Sequence, residues 1–250
     1  MKQRMNSRSL AAIIFCISLL MSGCALTKAK TAPTDARTQN LIAGIESQNK
    51  HIRTFNGQGS ISIKEPSKTS SYRLAWAGEY PDKIRLIVLF SGKPVETVAA
   101  DGNFLYLKSH NNAHRLIRRE RKNPSLEPFI ALPLTTGQIT NYLSGRVPVP
   151  AYERAQIEPS GKGNVLSFYR NGNEVIQQVF LDENNKVNTY EIMESASTLF
   201  RISLKQSDSD EALRFPSMIE VAQGQRSCII TIENSTPNPR LAEDTFKITP

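Results

Sequence analysis

Between Phe55 and Phe90, apolar side chains or glycine fall on every second position in three successive runs: Phe55 to Ile63, Tyr72 to Trp76, and Ile84 to Phe90. A period of two marks strands with one buried face. The breaks between the runs, Glu65-Pro66-Ser67, Gly78 to Asp82 and Ser91 to Pro94, carry turn chemistry, so the runs read as an antiparallel meander. Val95 to Ala100 extends it, Asp101-Gly102 reverses it, and Phe104 to Lys108 and Arg115 to Arg119 complete a first half. Strands resume at Val165 to Tyr169 and Glu174 to Leu181, joined by Asn171-Gly172, then at Val187 to Met193, Leu199 to Leu204, Met218 to Val221 and Cys228 to Ile232.

Two stretches follow the helical period instead. Thr34 and Asp35 are capping residues for a helix over about residues 35–51, with Leu41, Ile42, Ile45 and Ile52 on one stripe. Mid-chain, Ser125 caps a short turn through Phe129 and Ile130. Thr135-x-x-Gln138 forms a capping box ahead of Ile139, Tyr142 and Leu143, and Gly145, Pro148 and Pro150 end that helix. About eleven strands favour a curled or barrel-like antiparallel sheet, because a flat open sheet of that width leaves long edges. The mid-chain helices are placed across its mouth. Both faces of Leu86 to Phe90 are apolar, so more than one layer is expected to be buried.

The first residues belong to a different logic. Lys2, Arg4 and Arg8 precede Leu10 to Met21, a charge-free run too short to span a bilayer, with small Ser22 and Gly23 before Cys24. Leu19-Leu20-Met21-Ser22-Gly23-Cys24 resembles the lipobox of bacterial lipoproteins, whose cysteine is acylated and becomes the new N-terminus. The expected organisation is a signal peptide over 1–23, a lipidated tether over 24–33 and a single β domain over 34–250. By the sorting logic of the lipoproteins it resembles, Ala25 in place of Asp implies the outer membrane, facing the periplasm. Stable attachment takes more than one acyl chain, at about 0.8 kcal/mol per buried methylene.

The formal net charge is +8. Loss of residues 1–23 takes three basic residues and no acid, leaving a bias too mild and dispersed for nucleic acid but suited to anionic lipid or an acidic partner. Of the three cysteines only Cys228 would stay free, without an intramolecular disulfide partner. Arg115, Arg118, Arg119, Arg121 and Lys122 form a basic patch, read either as a solvated strand end or as a contact for phosphate head groups. No Cys/His spacing of a zinc site, nucleophile elbow or phosphate-binding loop is present. His110 and His114 flank a turn, and Asp208 to Glu211 read as a solvated acidic loop. The expectation is a non-enzyme without metal or cofactor.

The order of lipobox, leading helix, Phe55-Asn56-Gly57-Gln58-Gly59-Ser60-Ile61, Tyr72-Arg73-Leu74-Ala75-Trp76, Asp82-Lys83-Ile84-Arg85-Leu86, and Leu132-Pro133-Leu134 through Tyr142-Leu143-Ser144-Gly145 to Val147-Pro148 resembles the LolB family of outer-membrane lipoprotein receptors. The resemblance implies a half-open antiparallel β-barrel of about eleven strands, with helices over its mouth. It also implies a monomer that accepts acylated lipoproteins from a soluble LolA-like carrier and helps insert them into the outer membrane. Family members carry an apolar protrusion after the third strand, and here Leu89 and Phe90 are the corresponding candidates.

The alternating faces supply candidates for an acyl cavity: Phe55, Ile61, Leu74, Trp76, Leu86, Val88, Phe104, Phe168, Phe180 and Ile192, with Ile139 and Leu143 from the helical lid. Gly57 and Gly59 leave space on the same face. Ordinary core packing is the competing reading for each. The alternative function is a non-catalytic envelope lipoprotein that uses the same fold, with a filled interior, to bind another protein or a wall polymer.

Overall fold

A computed structural model describes residues 34–111, 116–194, 197–206 and 215–249. Cys24, the signal and tether segments, Arg115, His114 and Asp208 to Glu211 lie outside the described residues.

Among the described residues thirteen strands, rather than about eleven, form one antiparallel sheet. In chain order they are β1 (Thr54–Glu65), β2 (Lys68–Glu79), β3 (Lys83–Phe90), β4 (Lys93–Ala100), β5 (Phe104–Ser109), β6 (Leu116–Glu120), β7 (Arg154–Ser160), β8 (Gly163–Arg170), β9 (Glu174–Leu181), β10 (Val187–Glu194), β11 (Ser197–Gln206), β12 (Pro216–Gln223) and β13 (Arg226–Pro237). The spatial order runs β6-β5-β4-β3-β2-β1-β13-β12-β11-β10-β9-β8-β7. Two meanders, β1 to β6 and β7 to β13, are therefore joined where β1 pairs with β13, and the free edges are β6 and β7.

The strand that the sequence reading lacks altogether is β7. Only Ala155 and Ile157 mark its apolar face, and Pro159 argues against a strand. An edge strand tolerates proline where the nitrogen points away from the ladder. Ala155 N–H points outward, to Thr34 Oγ1 at 2.9 Å, and alternation puts Pro159 on that same free edge.

Helix α1 (Ala36–Lys50) begins at Asp35, whose carboxylate accepts from Thr38 N–H at 2.9 Å; that bond holds the acid below the usual carboxylate range. Its Ile42 and Ile45 are buried. Asn49 fixes its far end, donating to the Val147 carbonyl and accepting from Val147 N–H. Helix α2 (Glu127–Ile130) is one turn, capped at Leu126 rather than Ser125, although Ser125 Oγ still accepts from Glu127 N–H. Helix α3 (Thr136–Leu143) has the expected Thr135/Gln138 capping box, and Gly145 follows it with φ +70°.

Helix α3 touches β3 and β12, and its Tyr142 ring meets Tyr190 of β10 edge-on at 5.9 Å. In a flat sheet β3 and β10 would stand about 29 Å apart at 4.7–4.9 Å per strand, whereas an eight-residue helix is about 12 Å long. The sheet therefore curls around α3. One cluster of buried residues from both meanders and the three described helices fills this inner side. A smaller cluster of Ala99, Tyr106 and Ile248 lies apart from it, under the C-terminal segment, whereas Ile87 and Leu89 on the outer face of β3 join neither cluster, so the second buried layer is not where the apolar run Leu86 to Phe90 places it. The described residues from Thr34 on belong to one compact unit with both cores inside it.

Candidate functional site

On the inner face the strand alternation of β1 to β4 leads to a cavity of about 500 Å³. Its walls are Ile61 and Ile63 of β1, Tyr72 and Leu74 of β2, Leu86, Val88 and Phe90 of β3, and Val95 and Val98 of β4. Helix α2 borders it with Pro128, Phe129 and Ile130. Glu96 and Asn111 are the remaining, polar members of the lining. The volume falls in the range of about 300–1,000 Å³ typical of small-molecule sites, and a nearly unbroken apolar wall suits a hydrocarbon guest.

Exposure grades along the strands. Phe90 is 65% exposed and Tyr72 37%, whereas Leu74, Leu86 and Val98 are buried. The mouth thus lies at the β3–β4 hairpin and the floor deeper in the sheet. That hairpin is a two-residue turn with Ser91 at φ 50° and Gly92 at φ 76°, the primed geometry that matches strand twist. It holds Phe90 at the end of the strand, beside the opening. Leu89 alternates onto the opposite face and is not part of the wall.

The twelve sequence candidates divide into several groups. Ile61, Leu74, Leu86 and Val88 line the cavity. Phe55, Trp76, Ile139, Leu143 and Phe168 are packed core without lining it, and Ile192 packs against that core. Trp76 sits one step deeper than Leu74 on the same face of β2, next to the cavity floor. Phe104 does not face this side: it neighbours buried Leu105, stacks beneath the Arg118 guanidinium at 3.8 Å, and borders a depression of about 890 Å³ outside the main core. Phe180 likewise alternates with buried Val179 and Leu181 and joins neither core.

The glycines contribute less space than their sequence spacing implies. A Cβ on Gly57 would lie 2.7 Å from the Trp76 ring, so the indole already occupies that room. Gly59 lies at the register shift with β13, where a Cβ would come within 2.0 Å of the Thr231 carbonyl oxygen. Its role is close backbone approach, not vacancy.

Of the wall residues missed in sequence, Ile63 and Tyr72 continue the alternation of Ile61 and Leu74 and were open to detection by extending it. Pro128 and Phe129 carry no such signal, because only tertiary folding brings α2 beside β1 to β4.

Three donors are sealed in this core without a well-formed hydrogen bond: Trp76 Nε1 and the hydroxyls of Tyr142 and Tyr190, the two hydroxyls having only each other to interact with. Burial pushes both tyrosines above the ordinary phenol range. Since the Tyr142 hydroxyl has no partner but that of Tyr190, at most one weak bond is lost and Tyr142→Phe is expected to change stability by no more than about 1 kcal/mol, read from the urea midpoint. A loss of more than that would show that the hydroxyl is satisfied in solution.

Cys228 is buried in β13, and burial pushes its thiol up to about 12. The native protein is expected to resist iodoacetamide at pH 8 and to react promptly in urea. Rapid native alkylation, followed by mass spectrometry, would contradict this burial.

Of the basic patch, Arg118 stacks on Phe104, while Arg119, Arg121 and Lys122 are exposed at and just beyond the end of β6. His110 Nε2 is within hydrogen-bond distance of Thr97 Oγ1, at 3.0 Å.

No family model and no curated protein matches the chain. Solved structures do. One is a domain provisionally named for outer membrane lipoprotein sorting, from Vibrio parahaemolyticus, with TM-score 0.56 and 11% identity over 83% of this chain and 95% of that one. A DUF1329 family protein from Desulfovibrio piger gives TM-score 0.56 and 9% identity over 86% and 98%. A LolA superfamily protein from Nitrosomonas europaea gives 0.53 and 12% over 82% and 97%. At these identities the likeness is one of fold, and the chain has a LolA-like fold: a single open antiparallel sheet wrapped around short helices.

Proposed function

We propose that this chain is a lipid-anchored receptor of the LolB type. In this reading Cys24 carries the acyl anchor on the outer membrane, and the domain faces the periplasm. The cavity between β1–β4 and α2 takes the acyl chains of lipoproteins handed over by a LolA-like carrier. The observation that carries the reading is an apolar cavity of about 500 Å³ with exposed Phe90 at its mouth.

The energetics favour such a device. An acyl chain of about fifteen methylenes costs roughly 12 kcal/mol to expose to water, at about 0.8 kcal/mol each. An apolar cavity removes most of that cost from the path between carrier and membrane. Passage from one apolar cavity to another is nearly isoenergetic and delivery into a bilayer is downhill, so no nucleotide is required. The chain's own residues bind and exclude water, and the proposed action involves no covalent step.

The direct test incubates residues 24–250 bearing Cys24→Ser with a LolA-type carrier loaded with an acylated lipoprotein. The expected result is transfer of the lipoprotein to this protein, detected by co-elution. If the cargo stays on the carrier while a known receptor accepts it, the reading fails.

Phe90 is proposed to touch the bilayer during release. Burying a phenylalanine is worth about 1.5–3 kcal/mol, so Phe90→Ser is expected to weaken liposome association roughly tenfold or more. Equal liposome association of both proteins in a flotation assay would remove Phe90 from the delivery step.

A further inference from the structure

The two free edges of the sheet are treated differently. On β7, Thr34 occupies the outward N–H of Ala155, and Pro159 has no N–H to offer. On β6 no such device is present among the described residues, and the strand pairs only with β5.

The register fixes which groups stay open. Asp101 N–H donates to the Phe104 carbonyl and Arg121 N–H to the Asn103 carbonyl. Alternation then turns Leu105 and Arg119 toward each other, and leaves the backbone N–H and C=O of Leu116, Arg118 and Glu120 pointing away from the sheet.

That open edge is strongly basic. From Leu116 to Lys122 it carries Arg118, Arg119, Arg121 and Lys122 against the single acid Glu120. Cations on an edge repel a second basic strand, which keeps copies of this chain from pairing there. The same cations attract an acidic one. Next to the edge lies the depression of about 890 Å³, with Phe104, Tyr106, Leu116 and Arg118 in its wall, ready for alternate side chains of an added strand. The chain's own segment 24–33 is a poor occupant, since it bears Lys28 and Lys30 and no acid.

We infer that β6 is a docking edge for an extended acidic segment of a partner protein, which adds to the sheet as a further strand through the backbone of Leu116, Arg118 and Glu120. Backbone hydrogen bonds supply the affinity in this mode, and charge and alternate side chains supply the selectivity. The site is independent of the acyl cavity, so the two stand or fall separately.

The test uses residues 24–250 bearing Cys24→Ser and a fluorescein-labelled, end-blocked peptide of alternating Glu and Val, with fluorescence anisotropy as readout. Saturable binding is expected, unaffected by saturating palmitate and weakened by added salt. The same peptide N-methylated at alternate residues is expected to bind at least tenfold more weakly, because the donors to β6 are gone. Glu120→Pro, which deletes an outward N–H and also removes an acid, is expected to lose affinity by a similar factor, whereas Glu120→Gln binds as well or better. Arg119→Glu is expected to weaken the peptide at least tenfold. Equal binding of the N-methylated and unmodified peptides, or no saturable binding of either, overturns the inference. So does displacement of the peptide by phosphatidylglycerol vesicles whose own binding falls with Arg119→Glu and ignores Glu120→Pro, since the edge would then be a charged membrane contact.

Discussion

Val88→Trp is expected to lower affinity for palmitate about fifty-fold while leaving the fold intact. Val88 is half-buried in the cavity wall, between Leu86 on the floor side and Phe90 at the mouth. An indole there projects into the space rather than into packed core. Displacing about three methylenes of guest forfeits some 2.4 kcal/mol at about 0.8 kcal/mol each, and every 1.4 kcal/mol is tenfold in affinity. Leu89→Trp is the matched control. One residue along, its side chain faces the other way, and binding should be unchanged. Isothermal titration of both variants, with circular dichroism to verify folding, separates a filled cavity from a damaged protein. Equal affinities would mean that the guest does not use this wall.

Gly59→Ala is expected to destabilise the domain by about 3 kcal/mol or more, the scale reserved for overpacking against immovable groups. The obstruction is backbone: a methyl group would sit 2.0 Å from the Thr231 carbonyl oxygen, at the register shift of the β1–β13 pairing. That pairing joins the two meanders. Relief requires β1 and β13 to separate locally, and hydrogen bonds across the seam are lost with them. Gly44→Ala provides the contrast. Gly44 is exposed inside α1 and a Cβ there meets nothing within 4 Å, so this change should stabilise by about 0.5–1 kcal/mol through backbone entropy alone. Urea unfolding curves moving in opposite directions are the expected outcome. A Gly59→Ala midpoint equal to wild type would mean that the seam is looser than its geometry.

The contrast between these glycines also shows where sequence reasoning stops. Alternation identified the strands of the first meander, and the Thr135/Gln138 box and the α1 stripe of Ile42 and Ile45 located two helices, because local chemistry decides those elements. The phase of a strand was harder. Alternation gives two faces without saying which is inward: Phe104 and Phe180 are expected to face the cavity, yet their neighbours Leu105, Val179 and Leu181 hold the core, since the register of the assembled sheet decides which face is buried. Strand β7 was hidden by Pro159, whose tolerance depends on a free edge that only the assembled sheet defines. In the cavity, Ile61, Leu74, Leu86 and Val88 followed from alternation, but the α2 border of Pro128 and Phe129 is a product of long-range folding. Gly57 read as empty space until Trp76 filled it.

The most direct measurement is photolabelling of residues 24–250, bearing Cys24→Ser, with a diazirine-bearing palmitate, followed by peptide mapping. The expected result is saturable labelling, displaced by unmodified palmitate, confined to peptides containing Ile61, Leu74, Val88 and Phe129. Labelling that fails to saturate, or that falls on the Phe104 face instead, would contradict an acyl-binding cavity between β1–β4 and α2.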